Sequence, residues 1–207
     1  KEKMPIDRQK LMGGIKIGFP VAVGYFPIAV AFGALAVEAQ LTWFEAVLMS
    51  VMVFAGASQF MAAGMIIAGA GVFQIITATF LVNLRHLIMS MAVNQRLKEF
   101  SVGWKSILSL GITDETFALI TLQGEKGQQE LEPRSASAMM TTAYGGWVSG
   151  TLLGSLTAGF IPAQVTTAMT VGLYALFIGL LVPHARKSWK AAGIALVGVA
   201  LGRPVTL

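Results

Sequence analysis

Between positions 14 and 36 the chain reads GIKIGFPVAVGYFPIAVAFGALA, with a single charged residue, Lys16. Apolar runs of this kind recur along nearly the whole chain. A helix needs about 20 such residues to cross the ~30 Å hydrocarbon core of a bilayer. Spans are predicted at about 11–37, 45–68, 71–93, 105–122, 136–158, 163–183 and 188–202. Only 12% of the residues are charged and the mean hydropathy is +0.71, against about 25% charged in soluble domains. A soluble fold of this length has no interior large enough for so much apolar surface. The sequence predicts an all-α membrane protein, a single transmembrane domain over 1–207 with about seven helices.

The net charge of +5 does not indicate nucleic acid, because Lys and Arg collect between the apolar runs. With the N-terminus in the cytoplasm, nine of them fall on the inner side and four on the outer, so the positive-inside rule places the N-terminus inside. Cysteine is absent, which excludes disulfides and thiolate chemistry. The leading KEKMPIDRQK superficially resembles a signal peptide. The run behind it is too long for a 7–15-residue signal core, and further spans follow. His86 and His184 stand about a hundred residues apart, so no metal or other cofactor is expected. No P-loop, HExxH or GxSxG motif is present, and a transporter is expected rather than an enzyme.

Pro20 and Pro27 interrupt the first span, together with Gly18, Gly24 and Gly33. Each proline removes an amide donor and crowds the preceding turn, so this helix is expected to break. Backbone freed at membrane depth is tolerated along a cavity, where half-helix ends bind charged groups. Tyr25, Phe26 and Pro27 would then border a site. A shift of 90 residues superposes Gly56 on Gly146, Gly64 on Gly154, Gln74 on Gln164 and Thr77 on Thr167. A period of three spans implies inverted repeats over 11–93 and 105–183, with one extra helix at the C-terminus.

Arg85 and His86 lie inside the third span, beside Asn83, in TFLVNLRHLIMSM. A cation at the centre of a span costs at least ~2.5 kcal/mol, so Arg85 must snorkel to the interface or meet a partner charge. Asp114 and Glu115, inside the fourth span SILSLGITDETFALITLQ, are the obvious partners. Two acids side by side at that depth are costly. One reading pairs Arg85 with one acid and lets the other exchange a proton, shared with His86. The plainer reading is an ion pair that clamps two helices. In VFAGASQFMAAG the small residues, Ser58 among them, allow close helix packing; Phe54 and Gln59 are candidates for lining a pocket.

These motifs together resemble the AzlC family, the large subunit of bacterial branched-chain amino acid exporters. The matching pieces are GFPVAVGYFPIAVAFGALA at 18–36, VFAGASQFMAA at 53–63, NLRHLIMS at 83–90, TDETFAL at 113–119, GGWVSGTLLG at 145–154 and LYALFIGLLVP at 173–183. NLRH followed by TDE is the most specific part. Family members run somewhat longer at the C-terminus, so the last span departs from the pattern. The resemblance implies export of valine, leucine and isoleucine, and also methionine, across the bacterial inner membrane, with a small AzlD-type membrane subunit as partner. By carry-over, Gln59, Asn83, Arg85, His86, Asp114 and Glu115 are the polar positions of the family motifs.

A zwitterionic amino acid needs one partner for its carboxylate, another for its ammonium group, and an apolar pocket. Freed amides at 24–27 are expected to take the carboxylate, with Asp114 or Glu115 on the ammonium and Phe26, Phe54 and Phe60 around the side chain. A passive channel lined by the same polar residues is the competing reading.

Overall fold

The computed structural model describes residues 8–97, 100–125, 132–160 and 193. Among the described residues the fold is entirely helical: α1 (Arg8–Glu38), α2 (Trp43–Val53), α3 (Gly56–Ile67), α4 (Val72–Arg96), α5 (Val102–Leu110), α6 (Asp114–Glu125) and α7 (Pro133–Thr157), with a 3-10 turn at Ala158–Phe160. The five predicted spans up to 158 correspond to α1, α2 with α3, α4, α5 with α6, and α7. The spans at 163–183 and 188–202 lie outside the described residues, as do His184 and the Gln164 and Thr167 half of the repeat pairing.

The first correction concerns α1. It is one unbroken helix of 31 residues with Pro20 and Pro27 inside it, not the broken helix expected from its prolines. Both prolines are on the exposed side of α1, near Phe19, Val23 and Phe26. The opposite side is held along its length by α7. A Cβ on Gly18 would lie 2.4 Å from the Met139 carbonyl oxygen, and one on Gly154 only 2.0 Å from that of Val30. Gly14 meets Ser135 and Gly150 meets Phe26 in the same way. The partner numbers rise together along both helices, so α1 and α7 run parallel. Glycine at these contacts lets two backbones touch, the main source of helix affinity where lipid is as apolar as the side chains. A proline costs its helix one hydrogen bond and some steric strain, and here the continuous contact with α7 outweighs both.

The breaks occur in the second and fourth spans instead. Helix α2 opens with a reciprocal cap, in which Glu45 N donates to Thr42 Oγ1 and Thr42 N to Glu45 Oε2. It stops at Phe54, which adopts the left-handed conformation with φ 42° and ψ 46°. An aromatic residue there costs about 1–2 kcal/mol. The Tyr144 hydroxyl donates to the Val51 carbonyl (2.9 Å), which has no helical successor. The Phe54 ring packs edge-on against Tyr25 and Tyr144, at centroid distances of 6.2 and 4.9 Å.

The second break runs from Gly111 to Thr113. Thr113 N donates to Thr116 Oγ1 at 2.8 Å and Thr116 N to Thr113 Oγ1 at 3.2 Å, a reciprocal cap that starts α6. Thr116 Oγ1 also reaches the Gly111 carbonyl at 2.9 Å. Hydroxyl side chains thus take up the polar backbone groups that each interruption exposes.

Met89, Val93, Leu108, Ile112, Ile120, Met139 and Met140 form a buried apolar cluster joining α4, α5, α6 and α7. Most of α4 is otherwise exposed, with Phe73, Ile76, Phe80, Leu87, Ile88 and Met91 on its open side. With α1, it is long and apolar enough to cross a membrane.

Candidate functional site

The polar residues of the third and fourth spans converge at the α6 break. Arg85 Nη1 lies 2.7 Å from Asp114 Oδ2, and each side chain keeps between a quarter and a third of its surface exposed. Asp114 and Glu115 occupy the first turn of α6. Carboxylates are favoured there by the positive end of the helix dipole. The two acids therefore sit at a helix start within the span rather than midway along a helix, and this lowers their cost. Gly111 before a Thr-Asp-Glu run carries the signature of a helix stop and a new helix start, the signal from which the break is legible.

Tyr25, buried within α1, reaches the same turn. Its hydroxyl donates to Glu115 Oε2 and lies 2.7 Å from Thr113 Oγ1. An unbroken helix thus positions a phenol against the second acid. On the neighbouring side Asn83 Nδ2 donates to Ser58 Oγ at 3.1 Å, linking α4 to the first turn of α3. Asn83 Oδ1 is buried and has no hydrogen-bond partner among the described residues. An acceptor left in that state costs about 1–3 kcal/mol. His86 turns back on its own helix, with Nδ1 3.3 Å from the Asn83 carbonyl. Among the described residues it makes no hydrogen bond to Asp114 or Glu115.

Gln59 has a different surrounding. Fully buried, it donates through Nε2 to Ser50 Oγ (2.9 Å) and accepts through Oε1 from Trp147 Nε1 (3.0 Å). Ser50 Oγ lies 2.8 Å from Thr151 Oγ1, which donates to the Trp147 carbonyl. Ser50 is on α2, Gln59 on α3, and Trp147 with Thr151 on α7. The network ties the two half-helices together across the Phe54 break and commits both ends of the Gln59 amide.

The three-phenylalanine pocket does not form in this structure. Phe26 is 38% exposed and Pro27 is also on the surface, because both belong to the outer side of the intact α1. The amides at 24–27 belong to that helix, so they offer no broken end for a carboxylate. Phe60 packs against Phe32, with centroids 5.7 Å apart. Of the three, Phe54 lines a cavity. That cavity, of about 230 Å³, lies where the two breaks approach α7. Phe54, Leu108 and Met140 form its buried floor, with Met52, Leu110 and Thr141 at its exposed rim. None of Met52, Leu108 or Met140 stood out in the sequence, since apolar residues carry no distinguishing pattern in a chain this rich in them.

Two interrupted helices, an intramembrane ion pair at a helix start and a small apolar cavity between the breaks define a helical membrane protein built around a polar centre. Residues 20–161 match the model of the AzlC protein family, and the chain belongs to that family. It is 32% identical over 190 residues to a membrane protein of Archaeoglobus fulgidus, covering 91% of this chain and 82% of that one. It is 29% identical over 196 residues to the inner membrane protein YgaZ of Escherichia coli, with 92% and 80% covered. The branched-chain amino acid transport protein AzlC of Bacillus subtilis is 23% identical over 188 residues, with 88% and 70% covered. No solved structure matches the chain.

Proposed function

We propose that this chain is a secondary transporter that exports the branched-chain amino acids valine, leucine and isoleucine, and also methionine, from the bacterial cytoplasm, together with a small AzlD-type membrane subunit. The transport role named for the Bacillus subtilis relative supports the substrate class. The observation that carries the reading is the convergence of Arg85, Asp114, Tyr25 and Glu115 at the α6 break, beside the unpartnered Asn83 Oδ1. A zwitterion offers a carboxylate to compete for Arg85 and an ammonium group for Asp114, Glu115 and Asn83 Oδ1. Substrate entry would exchange the Arg85–Asp114 pair for two substrate contacts, at little net electrostatic cost. Glu115, held by a phenol rather than a cation, is the acid assigned to proton exchange. Ser58 and His86 support this cluster through Asn83. The N-terminus is placed in the cytoplasm, in a multi-pass topology.

The test is valine efflux and counterflow in liposomes containing the chain and its small subunit. Saturable counterflow that responds to a pH gradient, and is lost in Asp114→Asn and Glu115→Gln, is expected. Full efflux in both variants would remove these acids from the mechanism, and flux that rises linearly with valine would favour a passive pore.

A further inference from the structure

We infer that the groove between the two helix breaks holds the substrate's aliphatic side chain, and that Met140 and Gly111 set the largest side chain it accepts. This rests on the amino acid transport reading above.

The groove is apolar at its base, where Phe54 is 5%, Leu108 1% and Met140 4% exposed. At about 230 Å³ it is smaller than the 300–1,000 Å³ typical of pockets for drug-sized ligands, which suits a single short side chain. It also adjoins the polar centre through covalent and packing links. Gly111, in its wall, accepts a hydrogen bond from Thr116 in the turn that carries Asp114 and Glu115. Phe54 lines the groove and packs edge-on against Tyr25, whose hydroxyl contacts Glu115. A zwitterion bound at the α6 start would direct its α-carbon substituent toward this wall.

The geometry singles out two residues. A Cβ on Gly111 would lie 2.9 Å from Met140 Cβ and 3.0 Å from its Sδ. The glycine therefore leaves room for the Met140 side chain, and Met140 in turn occupies the floor. An added methyl at 111 drives Met140 into the groove, whereas truncation at 140 deepens it. Methionine is an adaptable filler, so the floor suits branched and unbranched aliphatic chains.

One methylene in a hydrophobic pocket changes discrimination by about tenfold or more. The experiment is competition of unlabelled valine, leucine and phenylalanine against labelled valine efflux, in liposomes with the small subunit present. Met140→Ala is expected to move the leucine-to-valine preference at least about fivefold toward leucine and to admit phenylalanine. Gly111→Ala is expected to move it about as far toward valine. Monodisperse elution of each variant establishes folding, and Met140→Ala alone decides the matter if Gly111→Ala does not fold. An unchanged preference in Met140→Ala, with normal valine efflux, assigns the groove to lipid or packing and overturns the inference. Absence of saturable valine transport in the unsubstituted protein would instead overturn the transport reading itself.

Discussion

The Tyr25 hydroxyl donates to the Glu115 carboxylate across the junction between an unbroken helix and the start of a broken one. This bond links α1, itself clamped to α7, to the turn that carries both acids. Tyr25→Phe keeps the buried ring and its edge contacts with Phe54 and Trp147 but deletes the hydroxyl. Normal membrane expression is expected, with valine efflux at least about fivefold lower and an altered pH dependence. Efflux across a pH series at matched protein level measures this, and an unchanged profile would sever Tyr25 from the mechanism.

Arg85 and Asp114 form one unit. Breaking a buried pair costs about 3–5 kcal/mol, and exposed pairs contribute at most about 1; partial exposure of both side chains places this pair near about 2. Arg85→Ala and Asp114→Asn should each lower thermal stability in detergent. The exchanged pair Arg85→Asp with Asp114→Arg should regain part of the stability but not the transport, because it places a cation at the positive end of the α6 dipole. Melting curves and efflux on the same three preparations test both statements.

The α1–α7 seam predicts a contrast between neighbouring glycines. Gly154→Ala drives a methyl into the Val30 carbonyl, while Gly145 has nothing within 4 Å of its would-be Cβ. The first is expected to destabilise by about 2 kcal/mol or more and to reduce expression. Gly145→Ala should be neutral or slightly stabilising, since alanine is the better helix former. Equal melting temperatures for the two variants would contradict the parallel packing described above.

Gln59 and Trp147 should behave as one interaction. Gln59→Leu leaves the buried indole N–H without its acceptor, at about 1–3 kcal/mol, while Ser50 keeps its bond to Thr151. Trp147→Phe removes the other end of the same bond. A double-mutant cycle is expected to show coupling of about 1 kcal/mol or more, measured by chemical or thermal unfolding in detergent. Strict additivity would show that α3 and α7 are joined at this point by packing alone.

The unbroken α1 carries its own test. Pro27→Ala restores an amide on the outer side of a helix that already continues unbroken past this position. Folding and valine efflux are expected to be retained, with stability unchanged or raised. Loss of transport in a folded Pro27→Ala protein would restore a role for a break in this helix.

The sequence alone determined the helical membrane character, the approximate bounds of the helices up to residue 158 and the pairing of Arg85 with an acid of the fourth apolar run. These properties follow from composition and from the cost of charge in hydrocarbon, which no packing arrangement can hide. Arg85 had to snorkel or find an acid, and Asp114 and Glu115 were the acids at comparable depth. Which helices break was decided only in three dimensions. A proline weakens a helix by a local amount, and whether the helix yields depends on its neighbours: Gly18, Gly150 and Gly154 hold α1 to α7, and it stays whole. At Phe54 and Gly111 the hydroxyls of Tyr144 and Thr116, distant in sequence or folded back by a turn, supply the hydrogen bonds that make an interruption affordable. Pairwise contacts between remote segments set that balance, and local sequence signals cannot weigh them.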